Sequence, residues 1–243
     1  MLAIETKGLS KKFDKKTAVK QLNLEIKEGE LFSLLGVNGA GKTTTIRMLS
    51  GLSQPSGGEA FIFGKSIRHK LQEVKRVINL SPQETAIAMN LTVRENLMLM
   101  AEIYGFAKEK ARAKVEEVIG LFSLEEVADT KASILSGGWQ RRLSIAMALI
   151  TEPKVLFLDE PTLGLDVLAR RELWKLIMDL KGKITIILTT HYMEESEVLS
   201  DRIGVMMKGE VKAIGTLKEL KALTGKENLE EAFVAVVEGR NGE

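Results

Sequence analysis

Eight consecutive residues, from Gly36 to Thr43, have the types and spacing of a phosphate-binding loop. Glycine, four residues, glycine, lysine and a hydroxyl residue stand between a predicted strand at 31–35 and a predicted helix at 44–49. Such glycines let successive backbone N–H groups point at phosphate oxygens, and the helix presents its positive end to them. The residues expected to contact the nucleotide are Gly36, Val37, Asn38, Gly39, Ala40, Gly41, Lys42, Thr43 and Thr44.

Two adjacent acids, Asp159 and Glu160, follow the apolar run at 155–158. At the end of a buried strand, Asp159 would help to hold Mg²⁺ together with the Thr43 hydroxyl, while Lys42 would neutralise the β and γ phosphates. Glu160 would then deprotonate the water that attacks the γ phosphate. The alternative is an ordinary helix start, because acids favour helix amino termini. A phosphate-binding loop in the same chain favours the catalytic interpretation.

Two further polar residues follow predicted strands. His191 comes after the run at 184–190, where it could donate a hydrogen bond to a γ-phosphate oxygen or to Glu160, although a lone histidine there is more often a surface residue. Gln83 comes after a weaker strand at 77–80, and its carbonyl suits Mg²⁺ or the attacking water. Its alternative is a turn residue after Pro82. His69 has no neighbouring motif and is expected at the surface.

A second glycine motif, Ser136, Gly137 and Gly138, precedes a predicted helix at 141–150. A glycine-flanked helix amino terminus with a hydroxyl beside it is another phosphate-binding device. One nucleotide seldom needs two of them unless its γ phosphate lies between them. Arg141 and Arg142, on one turn of this helix, are expected to form a solvated face and not a nucleic-acid patch.

These residues require a sheet that gathers strand ends on one edge. The runs at 31–35, 155–158 and 184–188 are apolar throughout, as in buried parallel strands, whose carboxyl ends collect ligands. Short strands at 3–5, 22–26 and 61–63, with a hairpin at 203–207 and 211–214, predict a flanking antiparallel layer. The expected fold is an α/β P-loop NTPase core with a mostly parallel sheet, that layer and an inserted helical subdomain.

Helical patterns occupy the segments 85–135 and 216–243. Spacings typical of capping boxes occur at Thr92…Glu95, Ser123…Glu126, Thr216…Glu219 and Asn228…Glu231. The last of these opens a predicted helix at 229–237. We expect a main domain at 1–215, which contains the helical subdomain at about 85–150, and a short helical extension at 216–243.

Composition narrows the function classes. The 243 residues are 44% hydrophobic and 28% charged, as in folded globular proteins. The net charge of +2 is too small to draw the whole molecule to nucleic acid. The absence of cysteine excludes disulfides and thiol chemistry, and two histidines exclude a multi-histidine metal site. Without a signal peptide or an 18-residue apolar run, we expect a cytosolic chain that reaches membranes through a partner.

Taken in order, these motifs resemble the ATPases of the ATP-binding cassette (ABC) transporter family over nearly the whole chain. The matching elements are the phosphate loop, Gln83 as Q-loop, the Leu-Ser-Gly-Gly signature at 135–138, the Asp159-Glu160 pair, the D-loop at 163–166 with Asp166, and His191 as switch histidine. The resemblance implies ATP and Mg²⁺ as cofactors, with Thr43, Gln83 and Asp159 around the metal and Glu160, His191, Gln83 and Lys42 in catalysis. It assigns Phe13 to adenine stacking.

The resemblance also implies a head-to-tail dimer, in which Ser136, Gly137 and Gly138 contact the γ phosphate held by the partner's Lys42. Hydrolysis would reopen a homodimer or heterodimer and drive an integral membrane permease subunit from the cytoplasmic side of the cell membrane. No nucleic-acid partner is expected. The run at 91–97 and the short tail are more similar to exporters than to importers. Two departures are Trp139, where glutamine is usual, and Phe13, where tyrosine is common.

Two functions other than that of a transporter ATPase stay open. One is a soluble ABC protein that switches translation or DNA repair, although such proteins usually carry two cassettes or a long coiled coil. The other is a nucleotide-binding module without turnover, against which Lys42, Glu160 and His191 argue. The substrate lies outside what this chain encodes, since transport specificity resides in membrane helices.

Overall fold

The computed structural model describes residues 1–14 and 16–239. In chain order the elements are β1 (Leu2–Phe13), β2 (Lys16–Lys27), β3 (Leu31–Leu35), α1 (Lys42–Leu49), β4 (Gly57–Ile62), β5 (Lys65–Ser66), α2 (Leu71–Lys75), β6 (Ile78–Ser81), α3 (Val93–Ile103), α4 (Lys108–Leu121), α5 (Gly137–Leu149), β7 (Val155–Asp159), α6 (Val167–Leu180), β8 (Thr185–Thr190), α7 (Met193–Leu199), β9 (Arg202–Met207), β10 (Glu210–Gly215), α8 (Leu217–Thr224) and α9 (Leu229–Glu238). Short 3₁₀ turns lie at Glu125–Val127 and Ala132–Ile134.

The central sheet has the strand order β10-β9-β3-β8-β7-β6. All its pairs are parallel except the β9–β10 hairpin, so the predicted mostly parallel sheet is confirmed. Every residue of β3, β7 and β8 is buried, because both faces of the sheet are covered. The carboxyl ends of β3, β6, β7 and β8 therefore meet at one edge, where Gly36, Gln83, Glu160 and His191 follow them.

An antiparallel sheet of order β2-β1-β4-β5 packs over one face of the central sheet. Its strands are longer than the short segments predicted at 3–5 and 22–26, since β1 and β2 each run for 12 residues. Polar residues alternate with buried ones along them, so the polar stretches that suggested turns face solvent within the strands. The hairpin at 202–215 forms as predicted, but β9 joins the central sheet beside β3 and not the flanking layer.

Helices α3, α4, α5 and α6 cover the opposite face of the central sheet in one apolar core. The capping boxes at Thr92 and Thr216 are present, and Asn228 caps α9. The predicted cap at Ser123 is wrong: Ser123 has φ 49° in a tight turn after α4, which lets Leu124 enter the core. Helices α1 and α5 begin at Lys42 and Gly137, earlier than the predicted 44 and 141, because both glycine motifs lead directly into a helix.

Candidate nucleotide-binding site

The loop between β3 and α1 requires glycine at defined positions. A Cβ atom on Gly36 would lie 2.3 Å from the Met206 carbonyl oxygen. Gly41 has φ 112°, and a Cβ there would lie 2.5 Å from the Ala18 carbonyl oxygen. The buried Lys42 ammonium donates to the carbonyl oxygens of Gly36 at 2.7 Å and Val37 at 3.3 Å. Close backbone packing on both sides thus fixes the curled loop that the sequence predicted.

Asp159, the last residue of β7, lies beside the first turn of α1. Its Oδ1 atom accepts hydrogen bonds from the Thr43 hydroxyl at 3.0 Å and from the Thr189 hydroxyl at 2.5 Å. A carboxylate and a hydroxyl oxygen this close are a donor set that suits Mg²⁺, which binds proteins through few oxygen ligands and keeps its other positions for water and phosphate. In the described part of the chain, no group of three or more His, Asp or Glu side chains could hold a metal ion.

Glu160 connects the lysine of the loop with the histidine after β8. Its Oε1 atom lies 3.1 Å from Lys42 Nζ, and its Oε2 atom lies 2.6 Å from His191 Nδ1. The carboxylate is only 7% exposed, and its residue has φ 49°, a backbone conformation uncommon for a residue with a side chain. Its backbone N–H donates to the Thr189 carbonyl and hydroxyl oxygens, both at 3.1 Å, which holds the strained residue in place.

These residues line one cleft of about 830 Å³. Phe13 forms part of its wall, half exposed, with Lys11 Nζ 4.8 Å from the ring centroid. Gln83 reaches the same cleft as an exposed residue. The structure therefore brings together the predicted loop, Phe13, Gln83, Glu160 and His191. The remaining predicted member, Asp159, lies directly beneath through its bond to Thr43.

The second glycine motif lies outside this cleft. Ser136 is the N-cap residue of α5, but its exposed side chain makes no capping bond. Gly138 packs closely on α6, since a Cβ there would lie 3.0 Å from the Ala169 Cβ. Asp166 caps α6, and its Oδ1 accepts from Leu168 N and Ala169 N at 2.9 Å. The signature residues thus lie on a separate surface of the chain. The D-loop connects this surface with the cleft, because Leu165 lies beside Gly137 and Leu163 lines the cleft.

One alternative and one expectation at these positions are wrong. No helix starts at the acid pair, because β7 ends at Asp159 and α6 begins only at Val167. Arg141 is not part of a solvated face: it is 4% exposed and donates into the chain interior. The sequence contained a signal for this burial, because Arg141 lies one helical turn before the apolar Ile145 and so shares its buried face of α5. Arg142 is partly buried, pairs with Glu172, and has its guanidinium carbon 4.6 Å from the Trp139 ring centroid.

Sequence reasoning also missed two buried polar residues near the cleft. Thr189 binds both Asp159 and Glu160, and its only signal is a hydroxyl residue at the end of an apolar strand. Glu195 accepts from the Thr162 hydroxyl at 2.9 Å and from Trp174 Nε1 at 3.1 Å. Burial raises the pKa of Glu195, and these hydrogen bonds oppose that shift. His69 is exposed, as expected.

Comparisons with known proteins show which protein family shares this sequence. The family model described as ABC transporter matches residues 19–163. The phospholipid-transporting ATPase ABCA3 of Homo sapiens is 42% identical over 226 residues, which are 91% of this chain but 13% of that protein. The daunorubicin/doxorubicin resistance ATP-binding protein DrrA of Streptomyces peucetius is 41% identical over 224 residues, 92% of this chain and 68% of that protein. The chain thus spans only a small part of ABCA3.

Two solved structures share the fold. A dimeric post-hydrolysis state of the ATP-binding cassette MJ0796, bound to ADP and Pi, aligns with TM-score 0.79 at 29% identity over 88% of this chain and 98% of that chain. The cbiO1 subunit from Clostridium perfringens, part of the ABC transporter complex cbiONQ, aligns with TM-score 0.83 at 30% identity over 91% of both chains. Among the described residues, no helix has the length and apolarity needed to cross a membrane.

Proposed function

This chain belongs to the ABC transporter family of ATPases, and from that premise we propose that it hydrolyses ATP as one half of a dimer and thereby drives a membrane subunit, for export. The observation that carries the proposal is the placement of the Glu160 carboxylate between Lys42 Nζ and His191 Nδ1, at the mouth of the phosphate loop. In this proposal the main domain at 1–215 carries every residue of the site. The helical extension predicted at 216–243 follows it, and residues 240–243 of that prediction lie outside the described residues.

Lys42 and Glu160 act in sequence. A phosphate group that enters the loop competes with the Glu160 carboxylate for the Lys42 ammonium, because the phosphate carries the larger charge. Release of Oε1 from the lysine leaves this oxygen able to accept a proton from the attacking water, while Oε2 stays on His191. His191 therefore orients the base, and the loop N–H groups stabilise the charge of the phosphates.

Thr43 and Asp159 would hold Mg²⁺, with Gln83 approaching from the other wall of the cleft. When bound, Mg²⁺ neutralises charge on the β- and γ-phosphate oxygens. Thr189 keeps the Asp159 carboxylate turned toward Thr43 through its 2.5 Å hydrogen bond. Phe13 supplies an aromatic face to the adenine ring at the open end of the cleft.

The dimer follows from the second glycine motif. Ser136, Gly137 and Gly138 form an exposed helix amino terminus without a side-chain cap, far from this chain's own cleft lining. Such a terminus suits the γ phosphate held by the partner chain. The dimeric state of MJ0796 with ADP and Pi supports this arrangement.

The partner is an integral membrane permease subunit, which places the chain on the cytoplasmic face of the membrane. Support comes from cbiO1, which is part of a transporter complex, and from DrrA, whose name assigns it to drug resistance and thus favours export. Copurification of the tagged chain with a multi-helix membrane protein in mild detergent would support this assignment. Recovery of soluble proteins alone would favour the switch alternative.

The hydrolytic proposal is tested with Glu160→Gln, which keeps the shape of the side chain and removes the base. We expect phosphate release to fall about 100-fold or more, because general-base catalysis contributes on this order. ATP binding should persist and an ATP-bound dimer should accumulate in size-exclusion chromatography. Glu227→Gln, an exposed carboxyl outside the cleft, is the matched control. Unchanged turnover of Glu160→Gln would refute the base assignment, and an inactive parent chain would favour a binding module without turnover.

A further inference from the structure

Arg141 occupies a position that the proposed chemistry does not use. It lies in the second turn of α5, behind the signature, yet its side chain is 4% exposed and faces the ends of β6 and β7. Those two strands are parallel neighbours, with Ser81 opposite Leu158. The loops that leave them carry Gln83 and Glu160.

The Arg141 guanidinium donates to the backbone of both loops. On the β7 side, Nη2 donates to the Asp159 carbonyl oxygen at 2.8 Å and Nε to that of Pro161 at 2.8 Å. These two carbonyls flank Glu160. On the β6 side, Nη1 donates to the carbonyl oxygens of Pro82 at 2.5 Å and Gln83 at 3.5 Å. One side chain thus holds both loops.

A buried cation is tolerated only when its donors are satisfied, and here backbone carbonyls do so in place of a paired carboxylate. Burial lowers the pKa of Arg141 to about 10, and the charges of Asp159, Glu195 and Glu160 oppose that shift, so the group stays positive near pH 7. Only a planar fork of five N–H donors reaches four carbonyls in two loops, because a lysine ammonium acts as a single point.

A second contact ties α5 to the end of β6 and so holds the helix that carries Arg141 in place. The Ser144 hydroxyl, one turn after Arg141, is 2.9 Å from the Ser81 hydroxyl at the end of β6, and both residues are buried. Rotation or translation of α5 would therefore move the two loops together and not one past the other. Because α5 begins at Gly137, directly after its N-cap residue Ser136, the signature surface is part of the same connected unit.

We propose that Arg141 is a positioning residue for ATP hydrolysis: it fixes the Gln83 loop relative to Glu160 and links both to the signature helix. This inference rests on the proposed ATPase function. It predicts that Arg141 acts on turnover through Gln83 and Glu160, with little part in holding the nucleotide. Arg141 itself does not line the cleft, and its bond to the lining residue Gln83 goes to the backbone carbonyl oxygen.

The test is a double-mutant cycle of Arg141→Lys with Gln83→Ala, read in steady-state phosphate release by the full chain. We expect Arg141→Lys to lower kcat about tenfold or more, with the KM for ATP within about twofold, because it loosens positioning without touching the nucleotide. The fold-decrease in kcat caused by Gln83→Ala should be at least about threefold smaller in the Arg141→Lys background than in the parent, since both changes disrupt the same placement of the Gln83 loop. A purely structural role would give independent, additive losses.

The matched control is Arg94→Lys, at a partly exposed arginine outside the cleft that also holds two carboxylates, Glu116 and Asp129. It should leave kcat unchanged and combine additively with Gln83→Ala. Additive losses at Arg141, an unchanged kcat, or a loss that lies in KM would overturn the inference while leaving the ATPase assignment intact. An inactive parent would instead refute the proposed function.

Folding is checked by melting temperature and by ATP binding. If Arg141→Lys does not fold, Arg141→Gln, which leaves no buried cation, takes its place in the same cycle. Failure of both variants to fold would make the guanidinium a structural requirement and would overturn the positioning role.

Discussion

Two helix amino termini in this chain follow glycine motifs, and they differ in how completely the chain surrounds them. At α1, contacts between 2.6 and 3.1 Å join Thr43 to Asp159, and join Glu160 to both the loop lysine and His191. At α5, Ser136 is exposed and its hydroxyl makes no capping bond. The first terminus lies in a site that one chain assembles, whereas the second is a surface whose ligand must come from elsewhere.

In the proposed dimer, this difference explains why a single chain would bind ATP and yet need a second ATPase chain, identical or different, to hydrolyse it. A phosphate loop encloses the triphosphate from one side and leaves the γ phosphate facing outward. An exposed, uncapped helix terminus supplies the missing positive end only when a second chain presents it. The contrast between α1 and α5 can be tested by damaging each terminus separately.

The largest effect is expected from mixing two inactive variants. Lys42→Ala removes the loop charge, and Gly137→Asp adds a negative charge that repels phosphate at the start of α5 while remaining compatible with a helix amino terminus. We expect each variant alone to lose about 100-fold or more of its phosphate release. A 1:1 mixture should recover about a quarter of wild-type activity, because half of the dimers are mixed and each has one intact site.

If mixing restored no phosphate release, the proposal that α1 and α5 of different chains form one site would be wrong, since the loop and the signature would then act within one chain. ATP binding by monomeric Gly137→Asp, measured by calorimetry, serves as the control for folding. It should match the parent, because no residue of α5 lines the nucleotide cleft.

A smaller effect is expected inside the first site, from Thr189→Val. The substitution removes the hydroxyl that donates to Asp159 and accepts from Glu160 N. We expect turnover to fall about tenfold and the free energy of unfolding to fall by about 1–3 kcal/mol, because a buried carboxylate loses a donor. Phosphate release and thermal unfolding measure the two effects.

Thr185→Val is the matched control, since Thr185 is equally buried at the opposite end of β8 and its hydroxyl accepts from Gly29 N at 3.0 Å. It should cost similar stability and leave turnover unchanged. Equal loss of turnover in both variants would show that the effect of Thr189 is only one of stability.

The smallest effect is expected at the open end of the cleft. Phe13 is 50% exposed in the wall of the cleft. Phe13→Ala should raise the KM for ATP about fivefold to tenfold through lost stacking, with kcat unchanged. Phe13→Tyr should stay within about twofold, because either ring offers a π face. A fall in kcat for Phe13→Ala would place the ring in the chemistry and not in binding.

Much of the fold was predictable because buried strands and helix caps are local patterns. The run Leu31–Leu35 forms a strand with those bounds, and the capping boxes at Thr92 and Thr216 form as expected. The full lengths of β1 and β2 were not predictable, because their polar residues resemble turn residues in the sequence. Only in the folded chain is one face of these strands buried against the central sheet. The cap at Ser123 failed because the burial of Leu124 outweighs a local hydrogen bond.

The sequence by itself determined the chemistry: glycine, lysine, hydroxyl and acid at fixed spacings allow phosphate and Mg²⁺ binding wherever strand ends place them. The contacts that combine those groups were decided by tertiary structure alone. Arg141 looked like a surface residue and lies buried between two loops, and Thr189 joins the acids of a neighbouring strand. Such partners are far apart in sequence, so only strand order and packing bring a donor to its acceptor.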